Sequence, residues 1–272
     1  MSSYSPKRVK VTVRTLRRMK ENGDKIAMLT AYDASFAAQL DAADVDVVLV
    51  GDSLGNVIQG CDSTLPVTMD DMVYHTRIVA RGCQRPMLIV DMPFMSYWSV
   101  ETALQNAARL MQEGGAHMVK LECTAGQEAI VAALANEGIP VCAHLGLRPQ
   151  SVHKLGGYRV QGRERSEAGE MLEQAHRLEA AGADMLVLEA VPAPLAAEVT
   201  RNVSVPVIGI GAGPQCDGQV LVLYDVLGIT AGKTPRFARN FLRESGSISA
   251  ALSAYVQAVK SGAFPGAEHT FE

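Results

Sequence analysis

Aromatic side chains are scarce in this chain, at 5% of 272 residues with a single tryptophan. Basic residues form no block, and 25 Lys and Arg against 29 Asp and Glu leave a net charge of −4. A nucleic-acid surface needs basic stripes and stacking platforms, so neither DNA nor RNA is expected as a partner. Apolar runs such as Val45 to Val50 are short and punctuated by Gly and Asp, far from the roughly 18 residues of a membrane span. The start of the chain, Met1 to Arg18, is basic and polar without the apolar core of a secretory signal. Cysteine is also sparse: Cys61, Cys83, Cys123, Cys142 and Cys216 are odd in number, widely spaced and free of any C-x-x-C pair. That usage fits reduced thiols in a cytoplasm better than a disulfide frame or a zinc site. No low-complexity segment and no Pro/Gly/Ser linker divides the chain.

What is present is a rhythm. Short, nearly continuous apolar runs recur at Ile26 to Thr30, Val45 to Gly51, Met87 to Asp91, His117 to Glu122, Pro140 to His144, Met185 to Glu189, Pro206 to Gly209 and Val220 to Tyr224. Runs of this kind are what parallel strands buried on both faces look like. Helical patterns lie between them. After Ser99, a predicted N-cap, Val100, Ala103, Leu104, Ala107, Leu110 and Met111 form one apolar stripe, and Gly114-Gly115 stop it. Met171, Leu172, Ala175 and Leu178 before Gly182, and Ile130, Val131 and Leu134 before Gly138, repeat the design.

Eight such units predict an α/β fold, a single (β/α)8 TIM barrel over residues 1–272, with a doubly wound sheet as the fallback. The last strand is the weakest element, because the short spacing from the seventh leaves room only for a short helix. Residues 1–24 form an N-terminal helical extension with a basic amphipathic helix near Thr15 to Asn22. Residues 246–272 form a C-terminal helix and tail carrying Ala250, Ala251, Ala254, Tyr255 and Val259. Both are placed to cap the barrel or to reach a neighbouring subunit.

In such barrels the site lies at the C-terminal ends of the strands, so the polar residues that close each run carry the information. They are Asp52-Ser53, Asp91, Lys120 with Glu122, His144 and Glu189. One strand-end Asp alone is as well explained by a helix cap or an ion pair. Carboxylates converging from successive strands are not, and so much like charge calls for a counter-ion. All-oxygen donors without a thiolate or histidine pair suit Mg²⁺, with Asp52, Asp91 and Glu122 as candidate ligands. His144 is a possible direct contact to metal or substrate, or else a donor to a backbone carbonyl. Gly209 to Gly213 resembles a phosphate-binding nest, and Gly156 to Arg163 a glycine-hinged lid.

Longer motifs then suggest a family. Thr30-Ala31-Tyr32-Asp33, Val50 to Gly55, Asp62 to Thr68, Asp91 to Phe94, Val119 to Glu122, His144 to Leu147 and Gly156 to Arg163 closely resemble ketopantoate hydroxymethyltransferases. Leu188-Glu189, Val207 to Gly213, Phe264 to Gly266 and Glu268-His269 extend the likeness, which runs from about Arg14 to Phe271. The resemblance implies an enzyme with one Mg²⁺ per subunit that moves a one-carbon unit from 5,10-methylenetetrahydrofolate onto 3-methyl-2-oxobutanoate. The product is 2-dehydropantoate, in pantothenate and coenzyme A biosynthesis. It further implies that Asp52, Asp91 and Glu122 meet the metal, that Asp52, Ser53, Asp91 and Lys120 hold the oxo acid, and that Glu189 is the general base. A cytoplasmic homo-oligomer, commonly a decamer, goes with it.

The chemistry of the residues agrees. A metal-chelated 2-oxo acid has an acidified C3 hydrogen, and a carboxylate in a partly desolvated anionic site has a raised pKa that makes it a better base. By strand count Glu189 stands opposite the second and third strands, able to reach C3 without ligating the metal. Two other readings stay open at this level: another Mg²⁺-enolate barrel that cleaves or rearranges 2-oxo acids, and a non-catalytic binding barrel whose rim only caps helices. Folate dependence separates the first, and loss of activity on Glu189→Gln the second.

Overall fold

A computed structural model describes residues 9–232 and 234–272. The polar stretch 1–8, part of the expected N-terminal extension, and Lys233 lie outside the described residues. Eight parallel strands close into a barrel in chain order: β1 Ile26–Thr30, β2 Val47–Val50, β3 Met87–Asp91, β4 Met118–Glu122, β5 Val141–Gly146, β6 Met185–Glu189, β7 Val207–Ile210 and β8 Gly218–Leu221, with β8 pairing back onto β1. Almost every strand residue is buried, as expected where side chains on one face fill the barrel and those on the other meet helices.

The helices are α1 Val13–Asn22, α2 Ala34–Ala42, α3 Leu54–Val57, α4 Met69–Gly82, α5 Val100–Gln112, α6 Glu128–Asn136, α7 Val152–Leu155, α8 Arg165–Ala180, α9 Ala193–Asn202, α10 Leu223–Leu227, α11 Leu242–Ser245 and α12 Ile248–Lys260. Their starts follow capping chemistry. Thr12, Asp33, Thr68, Ser99 and Ser247 each accept a backbone N–H of the first turn, and Thr68 with Asp71 forms a reciprocal capping box. In α5 the stripe Ala103, Ala107 and Leu110 is buried, whereas Val100 in the first turn stays exposed. None of the helices among the described residues is long and apolar enough to cross a membrane.

One expectation fails near the end of the barrel. The eighth strand runs over Gly218–Leu221 rather than Val220 to Tyr224, while the link from β7 is a turn, within the expected limit of a short helix. Leu223 instead opens α10, where its N–H donates to Thr30 Oγ1 at 2.9 Å. A continuous apolar run does not distinguish a buried strand from a buried helix turn, and here it contains both.

The flanking helices pack on two different parts of the barrel. At the strand entries, α1 sends Arg17 to Asp184 (2.8 Å) and Lys20 to Asp217 (2.8 Å). Along the β1–β8 seam, α12 buries Tyr255, whose hydroxyl donates to the carbonyls of Met28 (2.9 Å) and Gln219 (3.0 Å). Phe241 and Phe264 pack edge-on and tilted around that ring.

Candidate active site

The strand ends β2 to β6 deliver their polar residues to one mouth. The N–H of Asp52 donates to Oδ2 of Asp91 at 3.0 Å, and Oδ1 of Asp91 lies 2.7 Å from Nζ of Lys120. Lys120 Nζ in turn meets Nδ1 of His144 at 3.4 Å, and Nε2 of His144 lies 3.3 Å from Oε2 of Glu189, a contact without hydrogen-bond alignment. A row of contacts thus runs from β2 to β6, one strand at a time. Register supports it: Asp91 pairs with Lys120, Glu122 with His144, and Gly146 with Glu189. Glycine is required at 146, where φ is +90° and a Cβ would stand 2.3 Å from the Glu189 carbonyl.

An ammonium only donates, so the His144 Nδ1 facing Lys120 accepts, and the ring proton sits on Nε2 toward Glu189. Burial, reinforced by Lys120, holds this imidazole neutral, its pKa well below the usual histidine value. Asp52, Asp91, Glu122 and Glu189 share this mouth with one lysine. Burial and the neighbouring Asp91 raise Asp52 to about 7. Burial and then Asp52 push Glu122 well above the carboxylate range. Glu189 rises to about 7, by burial first, with Lys120 opposing and Asp91 adding to the shift. For Lys120, burial favours the neutral amine, but Asp91, Asp52 and Glu122 outweigh it and its pKa is raised.

This excess of buried negative charge fits a divalent cation. No group of three or more His, Cys, Asp and Glu side chains among the described residues is arranged as a ready-made metal cage. Both oxygens of Glu122 accept the Gln150 N–H, at 3.2 and 3.1 Å, and Asp52 Oδ2 accepts from the Gln150 amide at 2.8 Å. Such a set suits Mg²⁺, which is commonly held by one or two carboxylates and completes its shell with water and substrate oxygens.

The mouth opens into a cavity of about 770 Å³, within the range of small-molecule sites. One wall is the charged row. Asp225, Arg236, Phe237 and Phe271 also line the cavity, as do Tyr158 and Arg159 of the expected lid segment. Ser53 also faces the cavity, its Oγ 2.8 Å from the buried hydroxyl of Tyr32. The glycines expected to form a phosphate nest have a packing role: a Cβ on Gly211 would lie 2.8 Å from Phe237 and 3.0 Å from Phe271, and one on Gly213 2.6 Å from Ala193. All the strand-end residues singled out in the sequence therefore meet in one place. Sequence reasoning missed Gln150, Tyr97 and the Phe237–Phe271 wall. The only hint of Gln150 was its place two residues after the Leu147-Arg148 exit of β5; the wall, built from loops, had none.

A closed barrel with an anionic, lysine-containing mouth defines an enzyme of the (β/α)8 class that handles a small polar substrate. Comparison with known proteins narrows this. The pattern of the ketopantoate hydroxymethyltransferase family matches residues 10–267. The 3-methyl-2-oxobutanoate hydroxymethyltransferase of Alkalilimnicola ehrlichii is 61% identical over 261 residues, covering 96% of this chain and 94% of that protein. That of Halorhodospira halophila is 61% identical over 262 residues, covering 96% and 95%. This chain belongs to the ketopantoate hydroxymethyltransferase family and is a transferase. Among solved structures, a putative phosphonomutase from Burkholderia cenocepacia superposes with a TM-score of 0.63 at 17% identity, covering 79% of this chain and 93% of that one. Phosphonopyruvate hydrolase, in complex with oxalate and Mg²⁺, gives 0.61 at 14% identity over 94% and 92%. These distant matches establish the shared barrel alone.

Proposed function

We propose that the protein transfers a one-carbon unit from 5,10-methylenetetrahydrofolate to 3-methyl-2-oxobutanoate, forming 2-dehydropantoate for pantothenate and coenzyme A synthesis. The observation that carries the reading is Glu189, a partly buried carboxylate with its pKa near 7, facing the Asp52–Asp91–Lys120 cluster across one mouth. The family membership supplies the substrates.

In this reading Lys120 pairs with the negative charge of the oxo acid, and Ser53 and Asp52 border the same pocket. Asp52, Asp91 and Glu122 would hold Mg²⁺, which when bound would polarise the keto group and stabilise the enolate charge. Glu189 takes the proton from C3; its pKa near 7 leaves it substantially ionised at neutral pH yet basic enough to accept. The neutral His144 places its Nε2 3.3 Å from that carboxylate without adding a charge beside it, and Lys120 keeps the ring in this tautomer. Water adds to the methylene carbon of the folate and both C–N bonds break, so that tetrahydrofolate leaves and the carbon is released as formaldehyde; the enolate C3 then attacks that carbonyl carbon, and the resulting alkoxide is protonated to the hydroxymethyl group. The cavity beyond the charged wall, with Phe237 and Phe271, offers room for the folate ring near Tyr158.

The test is product formation by mass spectrometry from both substrates with Mg²⁺. Folate-dependent 2-dehydropantoate is expected. Turnover of 2-oxo acids without folate, or none by folded protein, contradicts the reading and favours a lyase or mutase barrel. A cytoplasmic homodecamer goes with the same proposal, and sedimentation velocity decides its size.

A further inference from the structure

Gln150 lies behind the cavity wall, in the 3₁₀ turn Pro149–Ser151 that follows β5, and it is buried. Every polar group of its side chain is used. Nε2 donates to Asp52 Oδ2 at 2.8 Å and to the Met92 carbonyl at 2.9 Å, while Oε1 accepts from the Tyr97 hydroxyl at 2.6 Å. Its backbone N–H reaches both oxygens of Glu122. One residue on the β5 exit thus holds a carboxylate from β2 and another from β4, which repel each other across the mouth.

The amide could be turned either way, since its oxygen and nitrogen are nearly the same size. Two acceptors that cannot donate decide: the Asp52 carboxylate and the Met92 carbonyl both face Nε2, so the NH₂ group must point at them. Oε1 is then left for the Tyr97 hydroxyl, which donates to it at 2.6 Å and completes the set. We propose that Gln150, its amide anchored on Met92 and Tyr97, is a positioning residue that fixes the Asp52 and Glu122 carboxylates in the arrangement that receives the divalent cation and the oxo acid. The inference rests on the proposed function and assigns to it two residues that do not touch substrate.

The test uses full-length, metal-free protein and Mn²⁺ as the probe, with free Mn²⁺ read by electron paramagnetic resonance, alongside KM and kcat for 3-methyl-2-oxobutanoate. Gln150→Met keeps volume and the backbone N–H but removes the amide. Partners behind a metal ligand typically matter by roughly 10–100-fold, so Mn²⁺ affinity falls by about that factor, with KM rising more than kcat falls. Tyr97→Phe removes only the hydroxyl that anchors Oε1 and gives a smaller loss of the same sign. A merely structural role would lower the folded fraction and leave the Mn²⁺ affinity and KM of the folded protein at wild-type values. If Gln150→Met does not fold, Tyr97→Phe decides alone. Wild-type affinity and KM in the folded variants overturn the Gln150 assignment while leaving the proposed function standing. A wild type that binds no Mn²⁺ overturns both.

Discussion

The two ends of the barrel treat buried acid in opposite ways. At the strand entries each Asp has its own cation: Asp184 meets Arg17, Asp217 meets Lys20, and Asp46 meets both Arg85 (3.2 Å) and Lys260. Asp46 also accepts the Ala27 N–H at 3.0 Å, so its carboxylate is fully engaged. At the strand exits, Asp52, Asp91, Glu122 and Glu189 share Lys120. Balanced charge ties helices α1 and α12 to the barrel and serves stability; unbalanced charge is costly to fold and is kept where chemistry requires it.

The largest expected effect that would break this contrast comes from Lys120→Met. Removing the lysine that pairs with Asp91 from this buried cluster should cost about 3–5 kcal/mol at pH 8 and abolish turnover. The penalty should shrink on acidification. Asp52 and Glu189 have folded-state pKa values raised to about 7, above their unfolded values, so their contribution to stability is fully present below about 4 and is lost as pH rises through 7. Without Lys120 that loss steepens. Melting curves at pH 6 and 8 check the sign, and an equal penalty at both would contradict it. At the other end, Asp46→Asn should cost about 1–3 kcal/mol in thermal or urea unfolding and leave catalysis by the folded protein unchanged. Lost turnover there would mean that the entry face is coupled to chemistry. Smallest of all, Arg17→Ala removes a half-exposed pair and should shift stability by about 0–1 kcal/mol, measurable only by careful unfolding titration.

The contrast also explains what the sequence reveals. Strands β1, β3 and β6 fall where the apolar runs place them, because burial on both faces writes itself into composition. Asp52, Asp91, Lys120, Glu122, His144 and Glu189 were found by position alone, since a polar residue closing a buried strand has few other reasons to be there. Gly218–Leu221 was displaced by two residues because the apolar run carries on into α10 without a break. At Gly211 the need for glycine comes from Phe237 and Phe271, distant in sequence, which fold against it. Gln150 and Tyr97 sit in loops without period, and their role arises from hydrogen bonds spanning 98 and 53 residues to Asp52 and to each other. Contacts of that separation leave no local pattern.

The central claim is that Glu189 removes the C3 proton within this under-compensated cluster. Its most direct test is hydrogen–deuterium exchange at C3 of 3-methyl-2-oxobutanoate in D₂O, followed by NMR from pH 5 to 9 with Mg²⁺ and without folate. Wild type should exchange, with a rate that falls as pH drops through about 7 and Glu189 becomes protonated. Glu189→Gln should be slower by roughly 10²–10⁴-fold, with a melting temperature at pH 8 no lower than wild type because a partly buried charge has been removed. A folded, Mg²⁺-loaded Glu189→Gln that exchanges at the wild-type rate would contradict the account.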